Sequence, residues 1–423
     1  MAHIRNSRST KATSGQFLKM KIFLIHNFYQ QPGGEDQVFA DEAALLEANG
    51  HEVTRFSVHN DAIREMGGLR VAALTLWSRP AYRDLRHRLR LQRPDVVHFH
   101  NTFPLISPAA YAAARAEGCA VVQTLHNYRL MCANALFFRA GQACELCLGR
   151  RIAWPGVVHG CYRGSRPASA VVAAMLATHW ALGTYRHGVD IYIALSEFAL
   201  RKFIQGGLPP EQVVIKPNFV DPDPGIGVGG GGFALFVGRL SEGKGVETLL
   251  AAWPRLGKPV PLKIIGDGDL APLVRRAVAS APQIEWLGRR PSGDVYEMMG
   301  RADLVVIPST CYETFGRVAI EAFAKGTPVV ASDHGAVAEL VEHGRTGRLF
   351  RVGDPEDLAR QVDFLLDDPS GLAAMRRRAR QAYEGHYTGT RNYEALMDIY
   401  RRARDASRPR AADKPPRSLH ARS

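Results

Sequence analysis

Short apolar runs recur along this chain with helical patterns between them, and after a glycine-rich break the series starts again. Met20 to Ile25, His51 to Phe56, Asp95 to His98, Ala120 to Leu125, Asp190 to Leu195 and Val213 to Lys216 make up the first series. Phe233 to Val237, Leu262 to Ile265, Ile284 to Leu287, Leu304 to Ile307 and Val329 to Ala331 make up the second. Runs this apolar suit strands buried on both faces. Their alternation with helices means βα units on a parallel sheet. The two series predict an α/β chain of two facing Rossmann-like domains with a cleft between them. A length of 423 residues independently favours two domains. In open α/β sheets ligands bind beyond the carboxyl ends of the strands, so residues just after strands carry the functional argument.

The expected organisation follows. Residues 1–19 form a disordered extension, and residues 20–220 the first domain, with a cysteine-rich insertion over 132–161. Residues 221–232 (DPDPGIGVGGGG) form a flexible linker. Residues 233–385 form the second domain, residues 386–402 a C-terminal helix, and residues 403–423 a disordered basic tail.

The net charge is +13, and much of the excess sits at the ends. Arg5, Arg8, Lys11 and Lys19 lie at one end; Arg401, Arg402, Arg404, Arg408, Arg410, Lys414, Arg417 and Arg422 lie at the other. Such ends suit contact with an anionic surface, either membrane lipid or nucleic acid, or else a solvated tail. The least polar stretch, Ala168 to Gly183, is broken by Ser169, Thr178, His179 and Trp180 and is too short to cross a bilayer. It reads as a buried or interfacial helix. The first 19 residues lack the apolar core of a secretory signal. The expected location is cytoplasmic, at most peripheral to the inner face of the membrane, with reduced cysteines.

Four motifs carry chemistry. The strongest is Glu313-Thr314-Phe315-Gly316-Arg317-Val318-Ala319-Ile320-Glu321, after the strand that ends at Ile307. A helix starting near Gly316 puts Glu313 in the preceding loop and Glu321 inside the helix. The N–H groups of Phe315 and Gly316 then form a site for phosphate or sugar oxygens. Two fixed carboxylates suit sugar and ribose hydroxyls; a solvated surface pair is the plainer alternative. The second motif is Gly238-Arg239-Leu240-Ser241-Glu242-Gly243-Lys244-Gly245. It sets Arg239 and Lys244 around a glycine turn after a strand, where a departing diphosphate needs preorganised positive charge. The order of residues is not that of a P-loop. The third motif is Gly33-Gly34 after the first strand, and the fourth is His126 after the strand ending at Leu125.

Taken together, the Glu313–Glu321 pair, the Gly-Arg-Leu-Ser-x-x-Lys-Gly run and the early Pro-Gly-Gly-Glu loop resemble family 4 glycosyltransferases of the two-domain GT-B fold. The resemblance covers Met20 to about Arg402. It implies retaining transfer of a hexose from a nucleotide-diphosphate sugar to a glycan or lipid-linked acceptor bound by the first domain, with no metal or other cofactor for catalysis. It also implies roles: Arg239 and Lys244 hold the diphosphate, Glu313 the sugar hydroxyls and Glu321 the ribose. Phe315 and Gly316 contact the sugar, Gly33 and Gly34 approach the phosphate, and His126 lies near the reacting carbon. One departure is Asn127, where many members carry Asp. Paired carboxylates also suit glycosidases, which need an acid and a carboxylate flanking the bond; the Arg239–Lys244 pair favours a phosphate leaving group. The alternatives are a nucleotide-sugar epimerase or hydrolase on the same scaffold, and a nucleic-acid-binding protein. The last lacks a recognisable module, so no nucleic-acid partner is expected.

Of six cysteines, Cys132, Cys144, Cys147 and Cys161 fall close together, two of them as Cys-x-x-Cys. Four thiolates at this spacing suit a structural zinc; a redox pair or buried free thiols are the alternatives. Cys119 and Cys311 read as ordinary buried thiols.

Overall fold

The computed structural model describes residues 18–31 and 33–407. The expected disorder of residues 1–17 and 408–423, with their basic residues, lies outside them. The strands are β1 (Lys21–Phe28), β2 (Glu52–His59), β3 (Val96–Phe99), β4 (Ala120–Thr124), β5 (Phe138–Arg139), β6 (Gln142–Ala143), β7 (Ile191–Ala194) and β8 (Val213–Ile215). After the break come β9 (Ala234–Val237), β10 (Leu262–Ile265), β11 (Ile284–Gly288), β12 (Leu304–Ile307), β13 (Val329–Ser332) and β14 (Gly347–Phe350).

Two parallel six-stranded sheets result, in the orders β2-β1-β3-β4-β7-β8 and β11-β10-β9-β12-β13-β14. Every residue of β3, β4, β7, β12 and β13 is buried, as expected of central strands covered by helices on both faces. The strand order reverses between β1 and β3 in one sheet and between β9 and β12 in the other. A crevice opens where the connections diverge to opposite faces. Gly33, Gly34, Arg239, Lys244 and Glu313 come from the segments after β1, β9 and β12 at these two points, Glu321 from the helix that follows β12's loop, and His126 from the loop after the neighbouring β4. β5 and β6 form a separate antiparallel hairpin in the cysteine-rich insertion.

Two expectations need correction. Residues 221–232, expected to be a flexible linker, lie as a strap on the second domain. The N–H groups of Gly227, Gly229 and Gly231 donate to the carbonyls of Lys325, Gly300 and Arg301 at 2.8–2.9 Å. The absence of side chains lets the strap lie flush: a Cβ on Gly227 would meet Gly300 at 2.1 Å. The last helix is longer than expected, Gly389–Ser407, so residues 403–407 of the expected tail are helical. It also leaves the second domain. Its Leu396, Met397, Ile399 and Tyr400 share a core with Ile22, Leu24, Val96 and Val122 of the first sheet. The stretch around 168–183 forms the helix Arg166–Ala181, whose Val172, Met175 and Leu176 are buried in the first domain's core. No helix among the described residues is long and apolar enough to cross a membrane.

Candidate active site

The loops after β9 and β12 are built as one unit. The Gly238–Gly245 turn presses onto the end of β12, where a Cβ on Gly245 (φ 69°) would meet the Pro308 carbonyl oxygen at 1.8 Å. Only glycine can occupy that position. The Gly243 carbonyl then accepts from the Thr310 and Cys311 N–H groups at 2.9 and 3.2 Å. This clamp brings Lys244 to Glu313: Nζ lies 2.6 Å from Oε1, and the Ser309 hydroxyl donates to the same oxygen at 2.7 Å. Burial opposes the Glu313 charge, but Lys244 and Ser309 outweigh it and hold the carboxyl below its ordinary value. Burial likewise opposes the charge on Lys244, and Glu313 more than offsets it. The site therefore holds a fixed cation and a fixed anion at neutral pH.

Gly316 caps the helix Arg317–Ala324 at φ 110°, a conformation open to glycine and strained for other residues. Phe315 beside it is buried. Glu321 is one turn into the helix and is held by Arg317, whose Nε donates at 2.8 Å. Burial nevertheless raises the Glu321 carboxyl above its ordinary value. Arg317 also reaches Asp41 of the first domain at 2.7 Å. Three more hydrogen bonds join the domains here. Thr314 Oγ1 donates to the His126 carbonyl at 2.7 Å, Ser196 Oγ to the Thr314 carbonyl at 3.0 Å, and Tyr128 Oη to the Glu313 carbonyl at 3.4 Å. His126 and Glu313 thus belong to one cleft.

On the first-domain wall, Gly33 faces Arg239: a Cβ there would lie 3.7 Å from Nη2. The Gly33 N–H itself donates to Asp36 Oδ2 at 2.7 Å, within the cap of the helix Gly34–Ala48. Gly34 is that helix's first residue. His126 Nε2 lies 3.0 Å from His100 Nδ1, and the two rings stack. Burial, followed by the neighbouring His100, depresses His126 well below its ordinary value, so it is a neutral imidazole at pH 7.

The sequence reading missed what lies behind these residues. His100 Nε2 is 3.1 Å from Glu42 Oε2, and Glu42 Oε1 is 2.5 Å from Lys216 Nζ, both at most 1% exposed. Lys216 also donates to Asn392 of the last helix. His98 bridges Tyr400 and Thr124, at 2.8 Å each. His100 Nε2 and Glu42 Oε2 lie close but, among the described residues, make no hydrogen bond with each other or with any other group. The fixed contact of the His100 ring is therefore the one between its Nδ1 and His126 Nε2, in which one nitrogen donates and the other accepts. Glu42 could have been found, since it sits on the apolar face that Val38, Phe39, Leu45 and Leu46 define. Glu35 was also missed, although it closes the Pro-Gly-Gly-Glu loop. Its Oε2 accepts from Asn127 at 3.0 Å, and its Oε1 is buried without a hydrogen-bond partner. Burial, with Asp36 adjacent, pushes its carboxyl up to about 8. The departure at Asn127 is thereby accounted for: an Asp there would set a second carboxylate against Glu35, whereas the amide donates to it.

The four clustered cysteines all line one cavity, together with His159 and Arg139. Two tighter groups, with ligand atoms within 4.8 Å of one another, are Glu42–His98–His100 and His26–Glu35–Asp36. The cysteine sulfurs are spaced more widely. In the first group Lys216 already neutralises the carboxylate, which leaves little for a cation to gain.

Two family models match the chain: "Glycosyltransferase Family 4" over residues 32–224 and "Glycosyl transferases group 1" over residues 228–382. A glycogen synthase of Mycobacterium tuberculosis is 35% identical over 182 residues, 41% of this chain and 43% of that protein. A phosphatidyl-myo-inositol mannosyltransferase of Mycolicibacterium smegmatis is 37% identical over 138 residues, 32% of this chain and 36% of that protein. The chain thus matches less than half the length of these relatives. Among solved structures, Anabaena Alr3699/HepE in complex with UDP has TM-score 0.65 at 20% identity, covering 90% of this chain and 99% of that one. Sucrose-phosphate synthase from Thermosynechococcus elongatus has TM-score 0.68 at 16% identity, covering 92% and 100%. At such identities the likeness is one of fold.

Proposed function

The chain belongs to the family 4 glycosyltransferases with the GT-B fold, and from that premise we propose that it is a retaining hexosyltransferase using a nucleotide-diphosphate sugar. The observation that carries this reading is the Lys244–Glu313–Ser309 cluster, with the positive charge of Arg239 near Lys244 and with Thr314, next to Glu313, bonded to the His126 carbonyl of the first domain. Lys244 and Arg239 hold the diphosphate and stabilise the charge that grows as the glycosidic bond to phosphate breaks. Glu313 accepts from sugar hydroxyls, and Glu321 from the ribose. Neutral His126 contributes a hydrogen bond at the reacting carbon rather than a positive charge.

Relatives named for UDP-glucose complexes, glycogen synthesis and mannosyl transfer support a hexose donor. The mannosyltransferase and a lipopolysaccharide glycosyltransferase of like fold support a glycan or lipid-linked acceptor. We place the acceptor on the first-domain wall by Glu35 and Asn127, and the protein in the cytoplasm with basic ends that meet an anionic membrane face. These relatives lend no support to an epimerase, hydrolase or nucleic-acid reading. No metal takes part in the proposed chemistry: the leaving diphosphate and the acceptor share one face of the sugar, and the phosphate takes the acceptor's proton. NMR of the new linkage should find the donor's anomeric configuration kept. An inverted product would overturn the retaining assignment.

A further inference from the structure

Residues 132–163 carry little regular structure: the two-residue strands β5 and β6 and the short helix Trp154–Val158. Ala135, Phe137, Ala140 and Arg163 all have φ between 47° and 67°, four of the six non-glycine residues with positive φ among the described residues. Each is a strained backbone conformation that persists only where its surroundings over-determine it. Yet Ala135 and Phe137 are buried, and no disulfide ties the segment, since all its cysteines are free thiols. The segment is held to the first domain's core through Ala133, Phe137, Cys147 and Ala153, while the rest of it is loop that a cross-link would fix.

The cysteines supply the means. Cys132, Cys144, Cys147 and Cys161 line one cavity of about 10 Å³, room for a single water-sized sphere. Much of the remaining wall is carbon, from Ala133, Phe138, Leu146 and Pro155. Gly156 closes it, where a Cβ would press on Ala133 at 2.9 Å and lie 3.6 Å from Cys147 Sγ. Arg139 also lines the cavity, and its Nε is buried with no hydrogen-bond partner. A donor stranded beside four thiols is suited to thiolates.

We propose that Cys132, Cys144, Cys147 and Cys161 form a tetrathiolate site for one zinc-class divalent cation, which sets the position of the donor-site loop through Glu145. Each thiol gives up its proton to solvent as its sulfur bonds the ion, so four protons leave and the site carries a net charge of two minus, which Arg139 faces. With metal–sulfur bonds of about 2.3 Å the sulfurs stand about 3.8 Å apart, so loading draws the ring inward. Glu145 lies inside the Cys144–Cys147 turn. It accepts from Lys202 at 2.6 Å, and the same Lys202 Nζ stands over the ring of Tyr312, the residue before Glu313, at 5.4 Å from its centroid. Fixing the turn therefore fixes Tyr312. The link to donor binding rests on the function proposed above; the metal site does not.

The test is elemental analysis of the full chain purified without chelator, with about one zinc per chain expected. Cys144→Ser and Cys147→Ser should each lose it, and Cys119→Ser should keep it. Should those variants not fold, Co²⁺ exchanged into the wild-type protein decides, through the visible bands of a tetrahedral tetrathiolate. Metal-free folded protein with free thiols, two disulfides by thiol count, iron–sulfur absorbance, or zinc retained by the Cys144→Ser/Cys147→Ser variant would each overturn the site. Removing the metal should weaken UDP binding by about tenfold in calorimetry. Unchanged affinity after metal loss would overturn the link through Glu145 while leaving the family reading intact.

Discussion

Lys244 and Glu313 neutralise each other at 2.6 Å, so neither can be judged alone. Lys244→Ala removes the proposed diphosphate contact and leaves Glu313 buried without its cation. We expect kcat/KM to fall by at least about a hundredfold, roughly 2.7 kcal/mol. Glu313→Gln should keep donor binding and lose kcat, since a weaker acceptor misplaces the sugar. The double variant should lose less than the two single losses combined, because both act on one unit. Glu321→Ala should mainly raise the donor KM, with a secondary effect through Arg317, which it holds. Steady-state kinetics with donor varied checks all four. Lys244→Ala at under about a threefold loss would remove the clamp.

At the scale of elements, what the sequence made legible followed from periodicity. Short runs such as Leu304–Ile307 show their strand character in side chains alone, because a central strand is apolar on both faces. The motif residues were legible because they lie in the segments that follow strands, Arg239 and Lys244 after β9, Glu313 and Glu321 in the loop and helix after β12, and His126 after β4. The buried relay was not legible. Glu42 and Lys216 are 174 residues apart, and Asn392 is a further 176 beyond Lys216, so no local pattern links them. The glycine-rich strap misled for the opposite reason: a composition that permits flexibility also permits close packing, and the contact decides which. The relay joins the helix Gly34–Ala48, the end of β8 and the last helix. Glu42→Gln should therefore leave Lys216 buried beside a neutral partner and cost about 3 kcal/mol, seen as a lowered Tm. Glu42→Gln with Lys216→Met should recover much of that loss. A Glu42→Gln Tm equal to the wild type would show that the pair adds nothing.

Over the whole molecule, the final helix works for the domain it does not follow in sequence. It starts after the second domain, beyond the matched family region that ends at residue 382, and ends packed on the first sheet. Ending the chain at Thr388 would uncover Ile22, Leu24, Val96 and Val122 and strip His98 and Lys216 of Tyr400 and Asn392. A face of that size cannot stay open to water. We expect the shortened protein to aggregate, read by size-exclusion chromatography and circular dichroism; a soluble, cooperatively melting product would show that the helix is dispensable.

The same crossing governs how halves of such enzymes could be exchanged. A chimera cut at the strap, pairing this first domain with a foreign partner, would import a terminal helix shaped for another sheet. Its tyrosine and asparagine positions would have to meet His98 and Lys216, and its apolar face Ile22 and Val122. The unit of inheritance on the acceptor side is therefore discontinuous: residues 20–220 travel with residues 389–407, and the donor half is a cassette inserted between them.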